Sequence, residues 1–257
     1  MTSPQKSQRW RLTLNQFLHP KSGNSVSECE DAIAVDSASN RFALADGATE
    51  AFDARSWAHQ LVTAWVREKD CLAPLEFWTF VEEQGRILSA SWSRMKLPWY
   101  SEEKARGGSF AAFVGIQIDL NSEAASWQSV AVGDSCLVQV RNNKLVRALP
   151  VASSTQFGAT PVLAPSNTSL QPEVALQIGF DKGQLEDGDL SLLLSDAVAA
   201  WILRLSEDKN ERALAEFLDL LKRDDEATLS EFFENERASQ RLKDDDIAVL
   251  GIEAVRI

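Results

Sequence analysis

The chain reads as an α+β layered fold, in which strands and helices are segregated along the sequence instead of alternating as in a doubly wound sheet. Three observations predict this. Short apolar runs of strand period cluster at 10–45 and again at 110–149, helical spacing dominates 52–95 and 197–243, and the chain closes on a long apolar strand. With 257 residues, 44% of them hydrophobic, the chain is long enough to bury a sizeable core, and 1–257 is read as one domain.

Taken in order, Trp10, Leu12 and Leu14 alternate with Arg9, Arg11 and Thr13, the period of a half-buried strand. Strands at 32–35 and 42–45 flank the polar stretch 36–40 and predict a hairpin. From 52 to 69 the period changes, and Ala58, Leu61, Val62 and Trp65 mark one apolar helix face. Pro74 suits the first turn of a second helix running to about Met95, with Phe77, Phe80, Val81 and Leu88 inward. Leu97-Pro98-Trp99-Tyr100 reads as a turn, and Gly107-Gly108 leads into the next strand.

Strands at 110–118, 126–132, 136–140 and 145–149, with turns at Asn121-Ser122 and Asn142-Asn143, read as an antiparallel meander. Residues 152–172, rich in Ser, Thr, Pro and Asn, predict a long surface loop. A strand near 174–178, a turn at 186–189 and an apolar strand at 190–194 come next. Helices at 197–206, 210–222 and roughly 226–243 precede the closing strand at 247–255. The eight tryptophans read as core and helix-packing residues, Trp57, Trp65 and Trp201 among them.

The net charge of −12 argues against sequence-independent nucleic-acid binding, which needs Lys and Arg to displace phosphate counterions. Cys29, Cys71 and Cys136 are odd in number, widely spaced and accompanied only by His19 and His59, so neither a disulfide framework nor a zinc site is expected. The first ten residues lack the apolar stretch of a secretory signal, and no run approaches a membrane span. A reduced cytoplasmic location, with no membrane partner, is the simplest expectation.

Acidic motifs sit at the edges of the apolar runs: Glu30-Asp31, Asp46-Gly47, Gly133-Asp134-Ser135, Ser195-Asp196 and Asp244-Asp245-Asp246. Singly, each reads as ordinary turn or cap chemistry: a solvated turn, a strand-ending turn, a hairpin turn, a helix N-cap and a charged helix-to-strand boundary. Together they suggest more. A folded sheet could gather them into one pocket, and carboxylates brought close together repel unless they bind protons or share cations. Magnesium and manganese prefer such oxygen ligands.

In these motifs the chain resembles the metal-dependent protein phosphatase 2C family, as a divergent, bacterial-type member. The resemblance rests on Glu30-Asp31, Phe42-Ala43-Leu44-Ala45-Asp46-Gly47, Gly107-Gly108-Ser109, Val132-Gly133-Asp134-Ser135, Gly188-Asp189 leading to Leu192-Leu193-Leu194-Ser195-Asp196, and Asp245-Asp246-Ile247-Ala248-Val249, in the family's order over nearly the whole chain. It implies a four-layer α-β-β-α sandwich, two antiparallel β-sheets flanked by helices. It also implies that Asp46 bridges two Mg²⁺ or Mn²⁺ ions, with the Gly47 carbonyl as a further ligand, that Asp196 and Asp245 complete the first metal, and that Glu30 and Asp31 orient metal-bound waters. Asp134 matches a position that helps hold a third, weaker ion. The implied activity is that of a protein-serine/threonine phosphatase, a phosphoric monoester hydrolase in which a water activated by the dinuclear centre attacks phosphorus in line and no covalent enzyme intermediate forms.

Four departures accompany the resemblance. Family members commonly carry an arginine four residues before the glutamate, where it clamps the substrate phosphate; here that residue is Val26, leaving Lys21 or Arg106 as substitutes. Ala48-Thr49-Glu50 follows Asp46-Gly47 where many relatives have His or a Gly-rich continuation, so the general acid is unassigned. Ala197 stands for the usual glycine and Asp246 for the usual asparagine. The expectation is therefore a cytoplasmic, monomeric enzyme acting on a phosphorylated protein. One alternative is a catalytically weak or inactive phosphatase-like regulatory module; another is a structural domain whose acidic motifs are turns.

Overall fold

The computed structural model describes residues 9–68, 71–96, 98–122, 124–158, 160–170 and 172–257. Two antiparallel sheets lie at its centre. One has the order β1 (Trp10–His19), β11 (Ile247–Arg256), β10 (Leu190–Leu194), β6 (Cys136–Arg141), β7 (Lys144–Leu149). The other has the order β2 (Asp31–Asp36), β3 (Arg41–Gly47), β4 (Phe110–Asp119), β5 (Ser126–Val132), β9 (Gly179–Gln184), with the short β8 (Ala164–Pro165) paired to β4.

Alternation along the strands explains the layers. On β3, Phe42 and Leu44 face the β1-containing sheet while Ala43 and Ala45 face helices; on β11, Ala248, Leu250, Ile252 and Ala254 face the β3-containing sheet while Ile247 and Val249 face helices. Both faces are thus covered, so these strands read as nearly continuous apolar runs. Three cores result. Phe42, Leu44, Ile116, Trp127, Leu193 and Leu250 fill the space between the sheets. Helices α1 (Ala54–Trp65) and α2 (Pro74–Trp92) cover one outer face through Trp57, Leu61, Trp65, Phe77 and Phe80. Helices α4 (Asp196–Glu207), α5 (Glu211–Arg223) and α6 (Glu226–Ala238) cover the other through Trp201, Phe217, Leu221 and Phe233. This is the expected α+β sandwich of four layers.

Local chemistry sets the element ends. Pro74 opens α2, Asn210 caps α5 by accepting from the Ala213 amide (3.2 Å), and Asp225 caps α6 by accepting from that of Thr228 (3.2 Å). Asn142 and Asn143 both take positive φ, the turn that matches the twist of the β6–β7 hairpin.

Some expectations need correction. Trp99 opens a helix, α3 (Trp99–Gly107), where a turn was expected, Leu97 lying outside the described residues. The segment Pro172–Gln177 is a 3-10 helix, and the strand follows it as β9, whose sequence GFDKGQ at the sheet edge carries too little apolar pattern to be read. The middle strands are not one meander: β4 and β5 pair in one sheet, β6 and β7 in the other, so Gly133-Asp134-Ser135 crosses between sheets. The expected helix at 52–69 stops at Trp65, its last expected residue Lys69 lying outside the described residues, and the last helix ends at Ala238. The described residues of 152–172 are largely irregular, interrupted by short 3-10 turns and by β8. No helix among the described residues is long and apolar enough to cross a membrane.

Candidate metal centre

Strand register brings the acidic motifs to one end of the sandwich. Asp31, at the start of β2, lies directly across from Asp46 near the end of β3. Asp196 follows β10, and the Ser195 hydroxyl, accepting from the Ala248 amide (2.9 Å), ties that turn to the beginning of β11, just after Asp245. Asp134 lies in the crossover from β5 to β6. Two glycines make the approach possible. A Cβ at Gly47 would lie 2.8 Å from the Ala54 carbonyl oxygen and 3.0 Å from that of Glu30, and Gly133 has φ +90° with a would-be Cβ 2.6 Å from that of Ala112.

The electrostatics follow from this gathering. Asp31 is 1% exposed, and neither of its carboxylate oxygens has a hydrogen-bond partner. Burial, then the Asp246 charge, holds its carboxyl well above the usual range. Asp46 is raised in the same way by burial and by Asp31, Asp196 and Asp134. Asp134 is pushed up to about 6 by burial and by Asp196. Such a set calls for cations or protons.

Glu30 stands at the rim, where its Oε2 accepts from the Thr49 hydroxyl (2.6 Å) with the Lys21 ammonium 3.8 Å away. Lys21 Nζ also donates to Thr49 Oγ1 (3.3 Å), so the departure at Ala48-Thr49-Glu50 contributes a hydroxyl that fixes Glu30. Of the two basic residues named as phosphate-clamp substitutes, Lys21 is therefore at this rim, whereas Arg106 sits on α3 beside Ser89, Trp92 and Met95. Val26 opens a 3-10 turn and is 62% exposed.

Two residues of the site, Arg237 and Lys243, escaped the sequence reading, and Asp246 was read there only as a departure from the usual asparagine. Asp246 is buried and accepts with both oxygens, from the Lys21 amide (2.8 Å) and the Glu30 amide (2.8 Å), a double acceptor role that an asparagine side chain could not fill. Arg237, buried on α6, donates to the carbonyls of Pro20 (3.1 Å) and Asp245 and pairs with Glu234 (2.7 Å), anchoring the acidic segment. Lys243 reaches across to both Asp196 Oδ2 (3.0 Å) and Asp245 Oδ2 (2.6 Å). Its placement was illegible because helical pattern continues to 243, whereas the helix stops five residues earlier.

The donor set suits a hard cation. It is built of carboxylate oxygens beside the Gly47 carbonyl, and the buried oxygens Asp31 Oδ1, Asp31 Oδ2 and Asp196 Oδ1 lack hydrogen-bond partners. As the side chains stand, no group of three or more His, Cys, Asp or Glu among the described residues converges closely enough to hold an ion, and the nearest cation to Asp196 and Asp245 is Lys243.

This architecture, two packed antiparallel sheets with helices outside and acidic strand ends, is the protein phosphatase 2C fold that the motifs implied. Among solved structures, the chain is similar to the catalytic domain of the serine/threonine protein phosphatase PstP in complex with two manganese ions (TM-score 0.64, 14% identity, 96% of this chain and 99% of that one). It is also similar to PppA, a regulatory component of the T6SS in Pseudomonas aeruginosa (TM-score 0.58, 17% identity, 96% and 98%), and to the serine/threonine phosphatase Stp1 from Staphylococcus aureus (TM-score 0.55, 13% identity, 98% and 99%). No protein-family model matches the chain, nor does any curated protein sequence.

Proposed function

We propose that this chain is a metal-dependent phosphoprotein phosphatase that hydrolyses phosphoserine and phosphothreonine. One observation carries the reading: five aspartates from five separate strand ends meet at one end of the sandwich, with the buried Asp31 carboxylate left without a hydrogen-bond partner. Asp46, Asp196, Asp245 and the Gly47 carbonyl would hold two Mg²⁺ or Mn²⁺ ions, and Asp134 would help hold a third, weaker one. When bound, such ions make a water nucleophilic near neutral pH and neutralise phosphoryl oxygens. The chain's own part is to position: Glu30, fixed by Thr49 and Asp246, and Asp31 orient water, while Lys21 at the rim offers a positive charge to the phosphate. A cytoplasmic monomer acting on a phosphorylated protein fits this reading.

The test is hydrolysis of p-nitrophenyl phosphate and of a phosphothreonine peptide by purified protein, with Mn²⁺, with Mg²⁺ and with chelator, beside Asp196→Ala. Metal-dependent turnover that disappears in the variant is the expected result. Turnover unchanged in Asp196→Ala would overturn the assignment.

A second reading, a phosphatase-like regulatory module with little catalysis, is favoured by Val26, an exposed apolar side chain where relatives carry a phosphate-clamping arginine. It expects Mn²⁺ binding without hydrolysis, so robust turnover would exclude it.

A further inference from the structure

The acidic cluster has two halves that differ in the positive charge they already hold. On one side, Asp31 and Asp46 face each other across the β2–β3 pair, and Asp31 has no hydrogen-bond partner. On the other, Asp196 and Asp245 already share a positive charge, because Lys243 Nζ lies 3.0 Å from Asp196 Oδ2 and 2.6 Å from Asp245 Oδ2. The ammonium is delivered by the same short segment that delivers Asp245. That segment leaves α6 at Ala238, turns through Gln240 at φ +57°, and is held by Arg237, which donates to the Asp245 carbonyl and lies 3.6 Å from Asp244.

An ammonium is a compact monovalent cation with three donors and no acceptor. It can neutralise two carboxylates, but it cannot activate a water or accept a phosphoryl oxygen as a Lewis acid. Resting on the metal-site reading above, we infer that Lys243 is a built-in competitor for one of the two divalent ions, so that the Asp196–Asp245 side loads only when the ammonium swings away. The geometry permits that movement. The Lys243 side chain is 61% exposed, against 18% for Asp196 and 31% for Asp245, so the ammonium can leave the two carboxylates for solvent and the lysine acts as a displaceable gate. Two-ion occupancy, and any activity that needs it, would then require a higher divalent concentration than a site without the lysine requires.

The experiment is Mn²⁺ titration of the full chain by calorimetry and by electron paramagnetic resonance, comparing wild type with Lys243→Ala, Lys243→Met and Lys243→Arg at one ionic strength. The Met variant keeps the stem, and thermal unfolding with chelator checks that each variant is folded. Wild type is expected to bind one ion and then a second more weakly. Removing the charge in the Ala and Met variants should tighten the second ion by about tenfold, about 1.4 kcal/mol, with the first unchanged within about twofold. The spin-coupled manganese pair should appear at correspondingly lower Mn²⁺, and Lys243→Arg should stay near wild type. Two ions bound equally well by wild type and both uncharged variants would overturn the role of Lys243 and leave the metal site standing. No Mn²⁺ binding by any of the four proteins would overturn the metal site itself, and the inference with it.

Discussion

Asp189 and Asp31 are both buried aspartates beside strand starts, yet the two ends of the sandwich treat them in opposite ways. At the β10 start, Asp189 is 0% exposed and receives Arg141 in a fork (Nε to Oδ1 and Nη2 to Oδ2, each 2.7 Å), the Gln139 amide (2.8 Å) and the Glu186 backbone amide (2.9 Å). Burial pushes its carboxyl up, and these donors more than offset that, holding it below the usual range. At the other end, Asp31 is 1% exposed, neither of its oxygens has a hydrogen-bond partner, and burial with the Asp246 charge outweighs the neighbouring Ser195 hydroxyl, so its carboxyl is raised. The difference teaches how a structural carboxylate is told from one kept for a ligand. The first is fully satisfied within the fold, whereas the second is left to a proton or a cation.

Breaking the satisfied end should have the largest effect on stability. Arg141→Ala would strip Asp189 of its fork and is expected to cost about 2–3 kcal/mol, somewhat less than the roughly 3–5 kcal/mol of breaking a fully buried pair, because Arg141 itself is partly exposed. Urea unfolding measures it, and a loss under about 0.5 kcal/mol, the size of an ordinary surface change, would erase the contrast. Next is the ligand end. Mn²⁺ at a hundred times its dissociation constant should stabilise wild type by about 2.7 kcal/mol, and Asp46→Asn should lose this gain while unfolding normally with chelator. A variant stabilised as much as wild type would mean that Asp46 is not a ligand.

The two ends should also differ with pH. Because Asp31, Asp46 and Asp134 have raised values, the native state binds more protons than the unfolded chain from about pH 4 upward, and through about 6 for Asp134, so stability should fall as pH rises through that window. Asp189 works in the reverse sense: its contribution is present above about pH 4 and is lost as pH falls through its lowered value. With chelator, Tm is expected to be lower at pH 7 than at pH 5 by roughly 2–4 °C for each kcal/mol involved. Asp134→Asn should shrink the difference, and a Tm that rises over this interval would contradict the assigned directions.

The smallest change sharpens the comparison by giving the ligand end a fork of its own. Val26 is exposed, so Val26→Arg should alter stability by no more than about 0.5 kcal/mol. If the enzyme reading holds, the same variant should lower KM for a phosphopeptide several-fold with kcat little changed, whereas an unchanged KM would place the clamp elsewhere, with Lys21 the first residue to examine.

Much of this site could be read from the chain because its carboxylates sit at the ends of apolar runs, where local pattern is strongest. Asp46 after Phe42-Ala43-Leu44-Ala45 and Asp196 after Leu192-Leu193-Leu194 were conspicuous for that reason. Lys243 and Arg237 were not, nor was the part that Asp246 plays in holding the Lys21 and Glu30 amides. A lysine after a helical stretch resembles any surface lysine, and the distant partner that gives it meaning, Asp196, lies 47 positions away. The β9 strand was missed on similar grounds, since an edge strand with a polar sequence is held by hydrogen bonds to β5 and not by apolar pattern of its own.

What the sequence determined by itself was the set of elements whose burial is nearly complete, and the position of an acid beside each of the key strand ends, because backbone periodicity and apolar spacing act within a few residues. Tertiary structure alone decided which acids meet, which one receives an arginine and which is left bare, and that a lysine stands between two of them. Charge balance in a buried cluster depends on groups brought together from distant parts of the chain, and local pattern carries no record of them.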